Sequence, residues 1–218
     1  MTHPILEDLR TRYTSKKYDP TRKISESDLT TLYEAIRLSA SSINSQPWKF
    51  IVIESPAARA RMSSTFANKF QFNEPHIHSA SQIILFAHNP TYNRDDYARV
   101  IDKGIIDKRT KPEDRESAFG GFAFAELNTD ANGDTSSWTK AQVYLALGNT
   151  LHTLARLKID STSMEGVDAD LIGEVFKEEL DGYRCEVALA IGYHHPDEDY
   201  NAALPKSRLS LESIFTKI

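Results

Sequence analysis

Residues 138–157, WTKAQVYLALGNTLHTLARL, decide the fold. The stretch contains no proline, and from Val143 to Leu157 its apolar side chains fall almost all round a helix rather than along one stripe. A helix of that kind has to be buried. Gly148 interrupts it at a cost of up to ~1 kcal/mol against alanine. A helix interior keeps such a residue where a second helix comes close. In a chain of 218 residues the expected cover is a second copy of the same chain, hence a homodimer. A central helix in the core of a monomer is the alternative.

Working outward, three short runs read as strands: residues 49–54 (KFIVIE), 82–87 (QIILFA) and 187–192 (VALAIG). They are rich in β-branched and aromatic residues or continuously apolar over strand length. Two further helices are predicted. One starts at Ser25, with Asp28 three positions on completing a capping-box-like pair and Leu29, Leu32, Tyr33 and Ile36 on one face. The other opens at Ser55-Pro56 and runs to about Phe66. Few strands scattered among longer helices, without regular βαβ alternation, indicate an α+β fold. No repeat, low-complexity tract or linker divides the chain, so residues 1–218 are expected to form one domain.

Composition narrows the function. There are 26 Lys and Arg against 31 Asp and Glu, a formal charge of −5, which argues against a general nucleic-acid or anionic-membrane binder. No apolar run approaches the ~20 residues that span a bilayer, and the first twelve residues carry no long apolar h-region. A cytoplasmic protein is expected. The single cysteine, Cys185, fits a reducing compartment and excludes a Cys-based zinc cage; just before an apolar strand it reads as a small buried hydrophobe. G-x-G-x-x-G, P-loop, G-x-S-x-G and H-E-x-x-H patterns are absent. His76, His78, His194 and His195 read as surface or loop histidines, and no metal is expected.

Two basic clusters stand out. Arg12-Tyr13-Thr14-Ser15-Lys16-Lys17 lies near the N-terminus and Lys206-Ser207-Arg208 near the C-terminus. Each mixes cations with hydroxyls, a combination suited to a phosphate; taken alone, each also reads as a solvated surface run. Residues 40–48, ASSINSQPW, lie between a helix and a strand, with Ser and Asn side chains able to bond ring carbonyls and nitrogens. Residues 163–166, SMEG, read as a turn in which Gly166 permits close approach to a flat ligand.

In order along the chain stand RYTSKKYD (12–19), ASSINSQPWKF (40–50), LGN (147–149), LKIDSTSMEG (157–166) and LPKSR (204–208). Together they resemble the nitroreductase family of FMN-dependent oxidoreductases, above all its flavin reductase branch. The resemblance implies a mostly antiparallel central sheet surrounded by helices, with the long core helix at a homodimer interface. It implies tight, non-covalent FMN in a cleft between subunits and NAD(P)H as co-substrate. By motif position Arg12, Tyr13, Thr14 and Lys16 would bind FMN, Lys16 at the N1/C2-carbonyl edge, while Lys206 and Arg208 would hold the phosphate. Asn73 would take the pyrimidine edge and border the nicotinamide site, and Gln142 would reach the flavin from the core helix. Ala40, Ser41, Ser42 and Asn44 would come from the partner subunit. Met164, Glu165 and Gly166 match the segment whose Glu165 and Gly166 backbone N–H groups face flavin N5 and O4, the catalytic contact. Phe70, Asn73, Arg109 and Phe124 would line the substrate site, with residues 103–132, including Gly120-Gly121, as a variable lid.

The implied reaction is ping-pong hydride transfer from NAD(P)H through flavin N5 to free flavin, nitroaromatics or quinones. Dihydropteridine or quinone reduction, or flavin carriage or sensing without turnover, are the alternatives. The chain departs from the family pattern at Glu74-Pro75-His76, where a lysine is common after the Asn73 position, and at Ser163, where a proline or another small residue is common.

Overall fold

The computed structural model describes residues 3–218. Strands β1 (Trp48–Ile53), β2 (Gln82–His88), β3 (Asp160–Met164) and β4 (Arg184–Gly192) form one sheet in the order β1-β2-β4-β3, every neighbouring pair antiparallel. Around it lie α1 (Pro4–Thr11), α2 (Glu26–Arg37), α3 (Pro56–Ser64), α4 (Glu74–Ser79), α5 (Arg94–Ile106), α6 (Arg115–Ala118), α7 (Ala123–Leu127), α8 (Ser136–Leu157), α9 (Ala169–Val175), α10 (Lys177–Leu180) and α11 (Leu211–Ile214). The expected α+β class and mostly antiparallel sheet are both present. β3 is the strand that the sequence reading lacks. It is a polar edge strand, Asp-Ser-Thr-Ser-Met, and carries no apolar run to announce it.

Residue alternation divides the core into two layers. Ile83, Leu85 and Ala87 of β2 with Ala188 and Ala190 of β4 face Met62, Phe66, Ile77, Ile172 and Phe176. Ile84 and Phe86 with Val187, Leu189 and Ile191 face Leu29, Leu32 and Ile36 of α2 and Val143, Leu147 and Leu154 of α8. Cys185 would share the face of Val187 by parity, yet it packs in the first layer. A bulge opposite Phe86/Ala87 explains this: Ala87 pairs with Cys185 while Phe86 pairs with Val187, leaving Glu186 as the extra residue. The bulge reverses the alternation, and Glu186 meets Lys140 of α8 at 3.0 Å.

The Ser25 cap is simpler than the predicted box. The Asp28 N–H donates to Ser25 Oγ at 3.1 Å, but the Asp28 carboxylate accepts the Ser25 hydroxyl rather than its backbone N–H. Ser55 caps α3 as expected, accepting from the Ala58 N–H. α8 buries Trp138, Gln142, Val143, Ala146, Leu147 and Leu154, but Leu145 stays 55 % exposed. A Cβ on Gly148 would meet nothing within 4 Å. The close approach expected at this glycine is therefore not made within one chain.

Residues 103–132 are mostly short helical pieces joined by turns and carry part of their own small core. Tyr97, Phe119, Phe122, Ala125 and Trp138 cluster, and the Arg94 guanidinium stacks 3.8 Å from the Phe119 ring centroid. A Cβ on Gly121 would lie 2.6 Å from Tyr97 Oη. Gly121→Ala is expected to destabilise the protein by about 1–3 kcal/mol through overpacking. Urea unfolding measures it, and adding Tyr97→Phe should recover part of the loss by removing the clashing oxygen.

Candidate functional site

The two ends of the chain meet. α1 ends at Thr11, and the segment after it runs beside β3: Thr14 bridges Ser161, and the Ser15 N–H donates to the Ser161 carbonyl at 3.2 Å. The chain after β4 returns to the same place. Arg10, Arg12, Tyr13, Thr14, Lys206 and Arg208 line a shared cavity of about 510 Å³, and no carboxylate among the described residues lines it. Lys206 Nζ donates to the Arg12 carbonyl. Arg12, Lys206 and Arg208 make no ion pair among the described residues. Burial and the neighbouring Arg208 hold the Arg12 guanidinium below its ordinary pKa; burial, Arg12 and Arg208 do the same to Lys206. In an acidic protein, a grouping of Arg12, Lys206 and Arg208 without an ion pair among the described residues is suited to an anion.

Asp199 ties the two ends together. It is 5 % exposed and accepts from Ser15 Oγ (2.7 Å), the Lys16 N–H (3.1 Å) and the Tyr13 hydroxyl (3.2 Å). Asn201 Nδ2 adds a bond to the Thr14 carbonyl at 2.7 Å. The sequence reading missed Asp199, because the acidic run 197–199 looks like solvated surface. Asp199→Ala strands several donors, so a loss of about 2 kcal/mol is expected. Chemical denaturation of the apo protein checks it.

At the far end of β3 the chain leaves the ladder beyond the buried Met164. Asn73 Nδ2 donates to the Gly166 carbonyl at 2.9 Å, and the Val167 N–H donates to the Glu165 carbonyl at 2.8 Å. Among the described residues, neither the Glu165 nor the Gly166 N–H donates in a turn, loop or cap bond. A Cβ on Gly166 would lie 2.9 Å from Asn73 Nδ2 and 3.1 Å from Phe70 Cδ1. Phe70 holds a left-handed φ of 58° and is 37 % exposed. The Tyr144 hydroxyl donates to Glu165 Oε1 at 2.5 Å.

Among the histidines, His76 needs correction. His76 is buried, edge-on to the Tyr18 ring at 5.9 Å, rather than on the surface or in a loop. Burial, then the charge of Lys16, keeps its pKa below the ordinary value, so it is neutral at pH 7. His78 is exposed, while His194 and His195 approach Asp160 (2.8 Å) and Glu198 (3.4 Å). A further histidine, His88, is wholly buried with Nδ1 3.1 Å from Thr139 Oγ1, and burial pushes it down to about 4. The Cys185 thiol, pushed up to about 12 by burial, is an inert core group.

The remaining predicted residues form a second group. Residues 42–44 make a 3₁₀ turn preceded by Ala40 and Ser41, with positive φ at Ile43, Asn44 and Gln46. The Ser42 N–H donates to Gln142 Oε1 at 2.8 Å, and Gln142 Nε2 donates to the Trp138 carbonyl. Phe124 stands 6.0 Å from Trp138, and Arg109 is exposed in the turn after α5. No hydrogen bond or ion pair among the described residues joins the residue 40–46 loop to the cation cavity. The sheet explains the gap. The loop enters β1 at Trp48, which aligns through His88 with Arg184, whereas Thr14 aligns through Ser161 with Ile191. That places Trp48, where the loop enters β1, and Thr14 about 19 Å apart across the sheet and about 20 Å along it, at opposite corners.

Comparison with known proteins gives the family. The Nitroreductase family model matches residues 9–193. The chain is 63 % identical over 216 residues, 99 % of each protein, to the major NAD(P)H-flavin oxidoreductase of Aliivibrio fischeri. It is 34 % identical over 95 % of its length to the oxygen-insensitive NAD(P)H nitroreductase of Salmonella typhimurium, covering 96 % of that protein. The FMN complex of a nitroreductase candidate from Exiguobacterium sibiricum superposes with a TM-score of 0.82 at 22 % identity, over 100 % of this chain and 99 % of that one. The chain belongs to the nitroreductase family.

Proposed function

We propose that this protein is an FMN-dependent NAD(P)H oxidoreductase, working as a cytoplasmic homodimer, that reduces free flavin, nitroaromatics or quinones. The observation that carries this is the carboxylate-free cation cavity built from both ends of the chain. Its donor set matches a phosphate monoester, and Gly166 supplies a surface that a side chain would fill. The flavin reductase named above, nearly two-thirds identical over its whole length, supports the same reading.

Arg12, Lys206 and Arg208 hold the phosphate, with Tyr13 and Thr14 beside them. Lys16 places an ammonium near the ring edge that gains charge on reduction. Asn73 fixes the Gly166 carbonyl and so turns the Glu165 and Gly166 N–H groups toward the ring at N5 and O4. Bound FMN supplies the atom that accepts and passes on hydride; the chain positions and polarises it. The residue 40–46 loop, with Gln142, lies too far from the cation cavity to serve the same mononucleotide. A second copy brings its own loop to the ring, and Leu145 and Gly148 of α8 lie on the face it covers. Residues 103–132 act as the lid, with Phe124 and Arg109 toward the substrate and Phe70 on the Gly166 side.

Purification tests the proposal. A yellow dimer whose 450-nm band is bleached anaerobically by NADH or NADPH is expected. A colourless chain that stays inactive with added FMN refutes it; bound FMN that nicotinamides do not bleach favours a carrier or sensor. Comparing kcat/KM for FMN, a quinone and a quinonoid dihydropterin identifies the acceptor class.

A further inference from the structure

We propose that Tyr144 is a positioning residue, holding the Glu165–Gly166 turn so that its two backbone N–H groups face the flavin; this deepens the FMN reading and rests on it. The turn has no strand partner beyond Met164 and is pinned at two points. Asn73 grips the Gly166 carbonyl from α4's side. Tyr144 grips the Glu165 carboxylate from α8 at 2.5 Å, the one side-chain bond that ties Glu165 to the rest of the protein among the described residues.

The surroundings make that bond specific. Glu165 has no ion pair among the described residues. The nearest cation on the same face of α8, Lys140, sits one turn before Tyr144 and is engaged by Glu186 at 3.0 Å. Burial, the bond to Glu165 and the charges of Glu165 and Glu186 all push the Tyr144 phenol up, so it stays a protonated donor throughout the working pH range. A neutral donor steadies the carboxylate without cancelling its charge. An ammonium would have held it with less directional constraint. Tyr144 touches neither the nicotinamide nor the acceptor on this reading: it acts through Glu165.

The test is a set of variants on the FMN-loaded dimer, read by stopped-flow reduction with NAD(P)H. Tyr144→Phe should slow flavin reduction about tenfold through loosened geometry, while FMN affinity stays within about threefold because the phosphate cavity lies at the other end of β3. Glu165→Ala should match it, and the Tyr144→Phe/Glu165→Ala pair should be no slower than either alone, the non-additivity expected of one shared bond. Glu165→Gln keeps an acceptor for the phenol and should restore most of the rate. Wild-type reduction in Tyr144→Phe, additive losses in the pair, or no rescue by Glu165→Gln each overturn the proposal while the FMN reading stands. A wild-type chain that binds no flavin overturns both.

Discussion

Arg208→Ala is expected to weaken FMN binding about 10- to 150-fold, the range of a charge-assisted hydrogen bond worth about 1.5–3 kcal/mol. The same change should leave the apo protein as stable as before, or more so. Arg208 is exposed, its one hydrogen bond among the described residues runs to the adjacent Ser207 carbonyl, and its charge presses on Arg12 and Lys206. Removing it relieves repulsion in the empty cavity and costs attraction only when a phosphate is present. Fluorescence titration of FMN and thermal unfolding with and without FMN separate the two. The ligand-induced rise in Tm should shrink while the apo midpoint holds. Added inorganic phosphate should compete with FMN in wild type and compete less in Arg208→Ala. Unchanged FMN affinity would show that the phosphate lies elsewhere.

That cavity was legible in the sequence because residue type carried it: cations beside hydroxyls at both ends of an acidic chain. The parts that orient it were not. Asp199 sits in a run of acids, and only the return of the C-terminal segment to β3 buries it among donors. β3 is polar in part because Thr162 spends its hydroxyl on Tyr18 and the Ser15 carbonyl, bonds that join residues more than a hundred positions apart. The β4 bulge inverts facing without leaving a mark in VALAIG, so the position of Glu186 beside Lys140 could not be read from periodicity. His76 looked solvent-facing among polar neighbours, yet α4 turns it under Tyr18. Local patterning finds elements and charges; long-range pairing decides which of them meet.

The same distinction bears on the long helix. Its apolar circumference predicts cover on nearly every side, and within one chain the sheet, α2 and α1 pack against it. Leu145 at 55 % exposure and the open Gly148 lie on the remaining side. Under the proposed FMN reading, the opposite-corner placement of Ser42 and Arg12 favours a second copy for an independent reason. One proposed assembly would meet both observations, because the helix with the exposed side also carries Gln142, the anchor of the residue 40–46 loop.

Gly166→Ala should cost the most in turnover, about 100-fold in kcat/KM for NAD(P)H, the scale of a misplacement near 1 Å at the reacting centre. The new methyl would lie 2.9 Å from Asn73 Nδ2, 3.1 Å from Phe70 Cδ1 and 3.4 Å from Phe72 Cζ. Phe72 is 75 % exposed and can swing away. Asn73 cannot, because its amide is the donor to the Gly166 carbonyl; either that bond breaks or the 165–167 backbone shifts, and both outcomes turn the N–H groups away from the ring. FMN affinity should fall less than tenfold, since the phosphate contacts are untouched. Gly173→Ala in α9 is the control: nothing lies within 4 Å of its Cβ position, and a helix interior gains up to ~1 kcal/mol from the change. Asn73→Ala combined with Gly166→Ala should relieve the crowding and restore stability without restoring turnover, because the clamp on the carbonyl is gone. Wild-type kcat/KM in Gly166→Ala would mean that the backbone donors at this turn do not serve the flavin, and that the reacting edge of the ring lies against a different part of the cleft.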